Sequence, residues 1–366
     1  MNKKLLAVAV AGILAAPATA LAQVTISGIF KVGIDQYKVN NPVAARTQTS
    51  EMRITDNSSR VIISVSEDLG GGLAAIGQWD IRAPMDSAAS MSNSGNTWVG
   101  LRSSSWGSLT LGRHDLHYGK QPDDIAAKAG ALMAASVSLM DFAGGGGTAI
   151  AAATRTPNAV KWDSPKWGGF TMTAAYSTGI GASEADLTAG ATEKGSAFNF
   201  NPAFTASNWQ IGASLWNSKS DGATAATIVE QDGQVLYGYM RFGGWKIGAA
   251  FNNSSLATGG VDTSDRSAWT VPVGFTTGAH NFNFHYTKAD DDDIIAGDNS
   301  AKMFAFAYVY DLSKRTSMGV TYAKLDNAAA GAYNFFTNTG ALGSTNSSLA
   351  AGEDGQLIAF NVRHAF

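Results

Sequence analysis

Alternation of large apolar with small or polar residues recurs along almost the whole chain after residue 22. It is clearest over 24–32, 61–66, 170–176, 209–216 and 357–366. A period of two marks a strand with unlike faces, and about ten residues is the length a tilted strand needs to cross a bilayer. Sixteen such strands are predicted, starting near residues 24, 52, 73, 96, 107, 157, 168, 196, 208, 233, 244, 266, 279, 300, 314 and 355. The count is even, as in bacterial single-chain barrels.

The connections fall into two classes that alternate. Tight ones are expected at 68–72, 104–107, 165–169, 206–208, 243–244, 277–279 and 311–314, and long polar ones at roughly 40–51, 84–95, 115–156, 180–194, 219–232, 254–265, 289–299 and 327–353. Short turns at one rim and long loops at the other characterise an outer-membrane barrel, with the turns on the periplasmic side. A soluble sandwich or propeller has no reason to sort its loops this way.

The faces sort in the same sense. In the last strand Ile358, Phe360, Val362 and Phe366 share one side, and Asn361 and Arg363 the other. Phe282, Phe284 and Tyr286 alternate with Asn283, His285 and Thr287. Trp79, Trp162, Trp209, Trp245, Tyr286 and Tyr310 cluster near strand ends, where an interfacial girdle requires rings. The expected fold is therefore all-β: a 16-stranded antiparallel transmembrane barrel with polar side chains inward.

The first 22 residues stand apart. Lys3 and Lys4, the apolar run from Leu5 to Ala16 and the small-x-small end Ala20-Leu21-Ala22 make a secretory leader, so the barrel is expected to occupy 23–366. No later window approaches 18 consecutive apolar residues, which excludes membrane-spanning helices. The formal net charge of −3 falls to about −5 without the two leader lysines, which speaks against a nucleic-acid partner. There are no cysteines, so rigidity must come from the hydrogen-bonded ladder of a closed barrel.

Several short blocks then resemble the trimeric general porins of β-proteobacteria and Neisseria. They are Ser59-Arg60, Glu67 to Leu73 (EDLGGGL), Val99-Gly100-Leu101, Leu109 to Arg113 (LTLGR), Val160 to Pro165 (VKWDSP) and the ending Val362 to Phe366. The resemblance runs through the mature chain and is strongest over 55–180 and at the C-terminus. Ala365 stands where the family often carries arginine or lysine. The resemblance implies a passive pore, a homotrimer set in outer-membrane lipid, and a third loop folded into each lumen. It also implies that Phe366 is part of the signal read by the barrel-assembly machinery. In the family the second loop, here 84–95, latches onto a neighbour and strands near both termini form the contact; Gly28 and Gly33 are small residues in that position.

The longest connection, 115–156, is expected to be that third loop. Asp123 to Met140 is alanine-rich and helix-favouring, with Pro122 and two acids at its start and Gly144–Gly147 at its exit. An open sixteen-stranded barrel is a wide aqueous channel, so selectivity depends on charge at its narrowest point. Alternation places Arg60, Arg82, Arg102 and Lys161 inward on neighbouring strands, with Arg363 able to join them. Arg113 shares the parity of Leu109 and Leu111 but ends its strand where the loop begins. Opposite this basic wall the loop offers Asp115, Asp123, Asp124 and Asp141, diluted by Lys120 and Lys128. Such a pairing sets up a transverse field, and the arginine excess points to weak anion preference.

Other function classes have thinner support. A barrel hydrolase needs a nucleophile beside a histidine base, and a metal site needs a third ligand. His114 and His117 bracket Asp115, yet no third ligand or cysteine accompanies them, so no catalytic residue, metal or cofactor is expected. A substrate-specific channel for sugars or organic acids is a further alternative; a sugar channel would want a lane of rings down the lumen, whereas most rings here lie on the lipid-facing parity. An adhesin role would rest on the outer loops alone.

Overall fold

The computed structural model describes residues 22–336 and 349–366, apart from 44, 47, 88–89, 141–154, 181–194 and 221–227. All but the last residue of the expected leader lies outside this set. The strands are β1 (Gln23–Asn40), β2 (Ser50–Asp56), β3 (Arg60–Gly70), β4 (Leu73–Arg82), β5 (Thr97–Ser103) and β6 (Gly107–His114). They continue as β7 (Thr156–Asp163), β8 (Phe170–Ser177), β9 (Ser196–Thr205), β10 (Trp209–Lys219), β11 (Val229–Phe242) and β12 (Trp245–Thr258). The last are β13 (Val261–Thr277), β14 (His280–Ala289), β15 (Ala301–Asp311), β16 (Thr316–Asn327) and β17 (Asp354–Ala365).

β2 and β3 share one place in the wall. β2 pairs with the outer half of β1, Lys38 opposite Ser50, and β3 with the inner half, Gln23 opposite Ser66. Between them Asn57–Ser59 turns out of the ladder, held by Asp56, whose Oδ2 accepts the backbone N–H groups of Ser58 and Ser59 at 2.9 and 3.0 Å. β1 closes the ring against β17, Ile29 opposite Ala365 and Asn40 opposite Asp354. The seventeen segments thus form a closed antiparallel barrel of sixteen strands. Each predicted strand is present, starting within about five residues of its expected position.

Parity is consistent around the ring. Phe304 and Phe306 on β15 are exposed outward while Ala301, Met303, Ala305 and Ala307 are buried inward. Beside the short turns the outward rings pair across strands: Trp162 with Trp167 at 6.3 Å, Phe204 with Trp209 at 5.3 Å, Trp245 with Phe275 at 4.6 Å and Phe282 with Tyr308 at 5.1 Å. This belt is what an interface between headgroups and acyl chains selects, because each ring offers an apolar body and a polarisable edge. Among the described residues no helix is long and apolar enough to span a bilayer, so the strands do the crossing.

Two expectations need correction. The connection at 254–265 is not an irregular loop: β12 and β13 extend past the barrel as a hairpin closed by Gly259 and Gly260, at φ +60° and +78°. Both turn positions require the left-handed region, which glycine enters without cost to a side chain. The helix expected over 123–140 is also absent, apart from a 3-10 turn at Leu132–Ala134 and one helical turn at Val137–Met140. Here tertiary bonding overrides alanine's propensity. Asp123 accepts the N–H groups of Ile125 and Ser136 at 2.9 and 2.5 Å, and Lys128 sits at φ +50°, so the chain doubles back before a helix can propagate.

Gly28 and Gly33 serve packing within the barrel. A Cβ on Gly28 would meet the ring of Phe366 at 2.5 Å, and one on Gly33 would point inward, 2.0 Å from Asn361 Oδ1 and 2.5 Å from Phe360 O. Because the Phe360 oxygen is backbone in the β1–β17 seam, Gly33→Ala must displace the ladder. It is expected to destabilise the refolded barrel by about 1–3 kcal/mol, read as a lower urea midpoint of tryptophan fluorescence in micelles. An unchanged midpoint would mean the seam is compliant.

Candidate functional site

The chain leaving β6 turns into the barrel. Over 116–140 it touches inward-facing groups of widely separated strands, so that its backbone polar groups are satisfied by the wall. Ala131 N–H donates to Thr321 Oγ1 at 2.9 Å, Leu132 N–H to Asn57 Oδ1 at 2.9 Å, and Asn252 Nδ2 donates to Met140 O at 2.5 Å. Arg266 donates to Leu139 O at 2.9 Å, and His285 Nε2 lies 2.7 Å from Ala134 O. Met133, Ala134, Val137, Leu139 and Met140 pack against inward alanines of β12 to β17, among them Ala250, Ala268, Ala305 and Ala323. Methyl-sized side chains on that arc of wall are what make room for the segment.

Between this segment and the opposite arc lies a space of about 300 Å³. Among the described residues its lining holds six basic side chains, Lys31, Arg60, Arg82, Lys128, Arg155 and Arg363, and one acid, Asp115; Lys128 pairs with Asp311. The register explains the cluster. Arg60 and Arg82 are direct partners across β3 and β4, Lys31 and Arg363 across β1 and β17, and Ile29 ties Arg60 to β1. Arg60 donates to Ser58 O and Oγ at 3.2 and 3.0 Å; Arg82 donates to Ser58 Oγ and to Asp80 Oδ2, the latter at 3.2 Å. Asp80 is buried behind both and stands 3.9 Å from Arg60 Nη1. Lys31 donates to Ala126 O at 2.9 Å, bridging wall and segment. Lys31, Arg60 and Arg82 stay together because each is held by neutral oxygens or a shared carboxylate.

The sequence-derived candidates divide. Arg60, Arg82 and Asp115 line the space, Asp115 accepting from Asn96 Nδ2 at 2.8 Å and Arg155 N–H at 2.9 Å. Arg102 faces inward but lies at the periplasmic end, opposite Ala74 and Ser108, with Trp98, Ser64 and Ser66. Lys161 is paired with Asp163 at 2.8 Å, on the strand opposite Thr110 and away from the cluster. Arg113 lies opposite Thr97 on the outward parity of Leu109 and Leu111. Asp123 and Asp124 turn from the basic arc to the far wall: Asp123 caps its own segment, and Asp124 pairs with Lys246 at 2.6 Å. Asp141 lies outside the described residues. The sequence reading missed Lys31, Arg155 and the lining role of Lys128. Lys31 was accessible by parity, since it alternates with Phe30 and Val32; Arg155 was not, because it precedes its strand.

His114 and His117 diverge. His114 Nε2 is 3.3 Å from Thr110 Oγ1 and its ring stacks on Trp98, while His117 Nδ1 is 2.6 Å from Ser214 Oγ on the other side. No cluster of three His, Asp or Glu side chains with metal-holding geometry occurs among the described residues.

A family profile described as Gram-negative porin matches residues 7–330. The chain belongs to the Gram-negative porin family. Outer membrane porin protein 32 of Delftia acidovorans is 26% identical over 376 residues, covering 100% of both chains. The major outer membrane protein P.IB of Neisseria lactamica is 24% identical over 338 residues, covering 87% of this chain and 91% of that one. Among solved structures, the anion-selective porin from Comamonas acidovorans has a TM-score of 0.76 at 21% identity, covering 94% of this chain and 100% of its own. OmpT of Vibrio cholerae in its trimer form gives 0.66 at 14% identity, with 94% and 99% coverage. This porin is an outer-membrane protein whose lumen is a passive diffusion path, as the strand pattern and the family resemblance led one to expect.

His117 supplies a stability test of the lumenal segment. Burial, with Lys120 adding to it, pushes its imidazole down to about 3. Between about 3 and the ordinary 6.5 the unfolded porin binds a proton that the folded one refuses, so this residue's contribution to stability falls as pH drops through that window. His117→Asn should flatten the fall by roughly a few kcal/mol between the two limits, measured by urea unfolding at several pH values. An unaltered pH slope would show that the folded porin accepts the proton.

Proposed function

We propose that the porin is a general channel for small hydrophilic solutes with a preference for anions, set where 116–132 narrows the lumen against β1, β3, β4 and β17. One observation carries this reading: among the described residues, six basic side chains and a single acid line the 300 Å³ space. With water displaced and low-dielectric walls close by, such an excess lowers the energy of an entering anion and raises that of a cation. The Comamonas porin of similar fold is named as anion-selective, which agrees. Of the acids expected to oppose the basic arc, Asp123 and Asp124 are engaged away from it and Asp115 lines the space, so the field is more one-signed than a balanced transverse pair. The relatives are porins, and the reading is of transport without catalysis. The chain from residue 23 is the barrel, and 1–22 a leader removed on export.

The working unit in this reading is a homotrimer. The outward side of β1 to β6 is mainly aliphatic, with Val24, Ile26, Val65, Val99, Leu101, Leu109 and Leu111 exposed and Phe30 and Trp79 its exposed strand rings, whereas paired rings run along β7 to β16. A face covered by a copy of itself has less use for interfacial rings than one set in lipid. Phe366 seals the β1–β17 seam, its ring 4.9 Å from Phe30 and its backbone exchanging two 3.2 Å bonds with Gly28. That end position suits recognition by the assembly machinery before the seam closes.

Two measurements test these readings. In a planar bilayer under a salt gradient, the reversal potential should report anion preference, and Arg155→Gln with Arg363→Gln should roughly halve the permeability ratio. Cation preference in the parent would overturn the selectivity. Unheated gel electrophoresis should show a trimer that Val99→Arg with Leu111→Arg converts to conducting monomers; a parent already monomeric would overturn the assembly.

A further inference from the structure

The constriction is two-sided in chemistry as well as in structure. Across from the wall arginines, the same space is lined by Tyr118, Ala126 and Leu132 of the lumenal segment and by Phe336, with Lys128 among them. Tyr118, partly exposed, is backed by Phe336 with ring centroids 6.0 Å apart and planes at 37°. Phe336 comes from the last outer connection, which also turns inward: its N–H donates to Met133 O at 2.9 Å, and Tyr333 and Phe335 are buried beside it. A pore lined for hydrated inorganic ions alone has no use for a wall of rings and aliphatic carbons. Such surface cannot hydrogen-bond an ion's water shell, and it is normally kept on the lipid side of a barrel.

We propose that the preferred solutes are organic anions with an aromatic body, arene carboxylates in the first instance, whose carboxylate meets the arginines while the ring slides over Tyr118. This rests on the anion-preferring reading above. An arginine offers a planar fork that matches a carboxylate, and a tyrosine ring offers a flat partner to an arene. The two are presented across one narrow space, so a solute carrying both groups gains from both walls at once. Acetate gains from one wall only, and neutral benzene derivatives only from the other. Asp115 and the Asp80 carboxylate behind the arginines keep the site from holding its anion tightly, as a conducting pore requires.

The test compares benzoate with acetate on single channels of the refolded porin carrying chloride. Benzoate at millimolar concentration should interrupt the chloride current and acetate should not. Tyr118→Ala should weaken the benzoate block about threefold or more, and Tyr118→Phe should restore the block. The trimer band in an unheated gel confirms that each variant folds. Equal effects of benzoate and acetate, or a block indifferent to Tyr118→Ala, would overturn the proposal with the anion preference intact. A parent preferring potassium would instead overturn the reading beneath it.

Discussion

A bilayer core offers no water to a peptide group, and that one constraint orders the rest of this protein. Each N–H and C=O in the apolar band must be bonded within the protein, which leaves a strand no free edge and obliges β1 to meet β17. Closure then fixes an inside and an outside for every residue. The outside is chosen by lipid: exposed Phe304, Phe306, Val320 and Phe360 are stable there for the reason they would be liabilities on a soluble protein. The inside is left to whatever the lumen must do.

The wall is graded around its inner circumference. Along β12 to β17 it presents alanines, and an alanine-rich segment lies against them with its backbone capped by Thr321, Asn57, Asn252, Arg266 and His285. Along β1, β3 and β4 it presents long cations and no such packing. The segment is therefore packed against one side, is tied to the other through Lys31 and Asn57, and leaves its gap there. Position and charge of the constriction thus have a common origin in which arc is small and which is long.

Legibility in the sequence follows the same division. Strand number and facing are readable because period two is imposed on every strand by the pleat, and a slip of one residue would put Arg363 in lipid. The hairpin at 254–265 was misread because polar residues on strands that extend beyond the membrane resemble a loop. Local propensity predicts a helix over 123–140, and the structure keeps only two short turns of it, since the bonds that decide the matter come from residues up to 190 positions away, as between Ala131 and Thr321. Arg60, Arg82 and Arg102 look equivalent by parity. Height separates them, and height depends on the register with β1 and on the break at Asn57–Ser59.

That break bears directly on the site. Were β2 and β3 one unbroken strand, the side chains of the neighbours Asn57 and Ser58 would point to opposite faces and could not both serve the lumen. Released from the ladder, Ser58 accepts from both Arg60 and Arg82, and Asn57 accepts the Leu132 N–H while donating to Asn361. Two residues thus orient two constriction cations and fasten the lumenal segment to the wall. Asp80 completes the arrangement: its Oδ2 faces the arginines, and its Oδ1 accepts no hydrogen bond among the described residues. A buried carboxylate so placed is stable only as the counter-charge of the pair, and the pair remains fixed only while the carboxylate is there. The selectivity element is consequently a rigid unit built on a wall defect, which keeps the arginines aimed at the pore with Asp115 the one acid among the described lining residues.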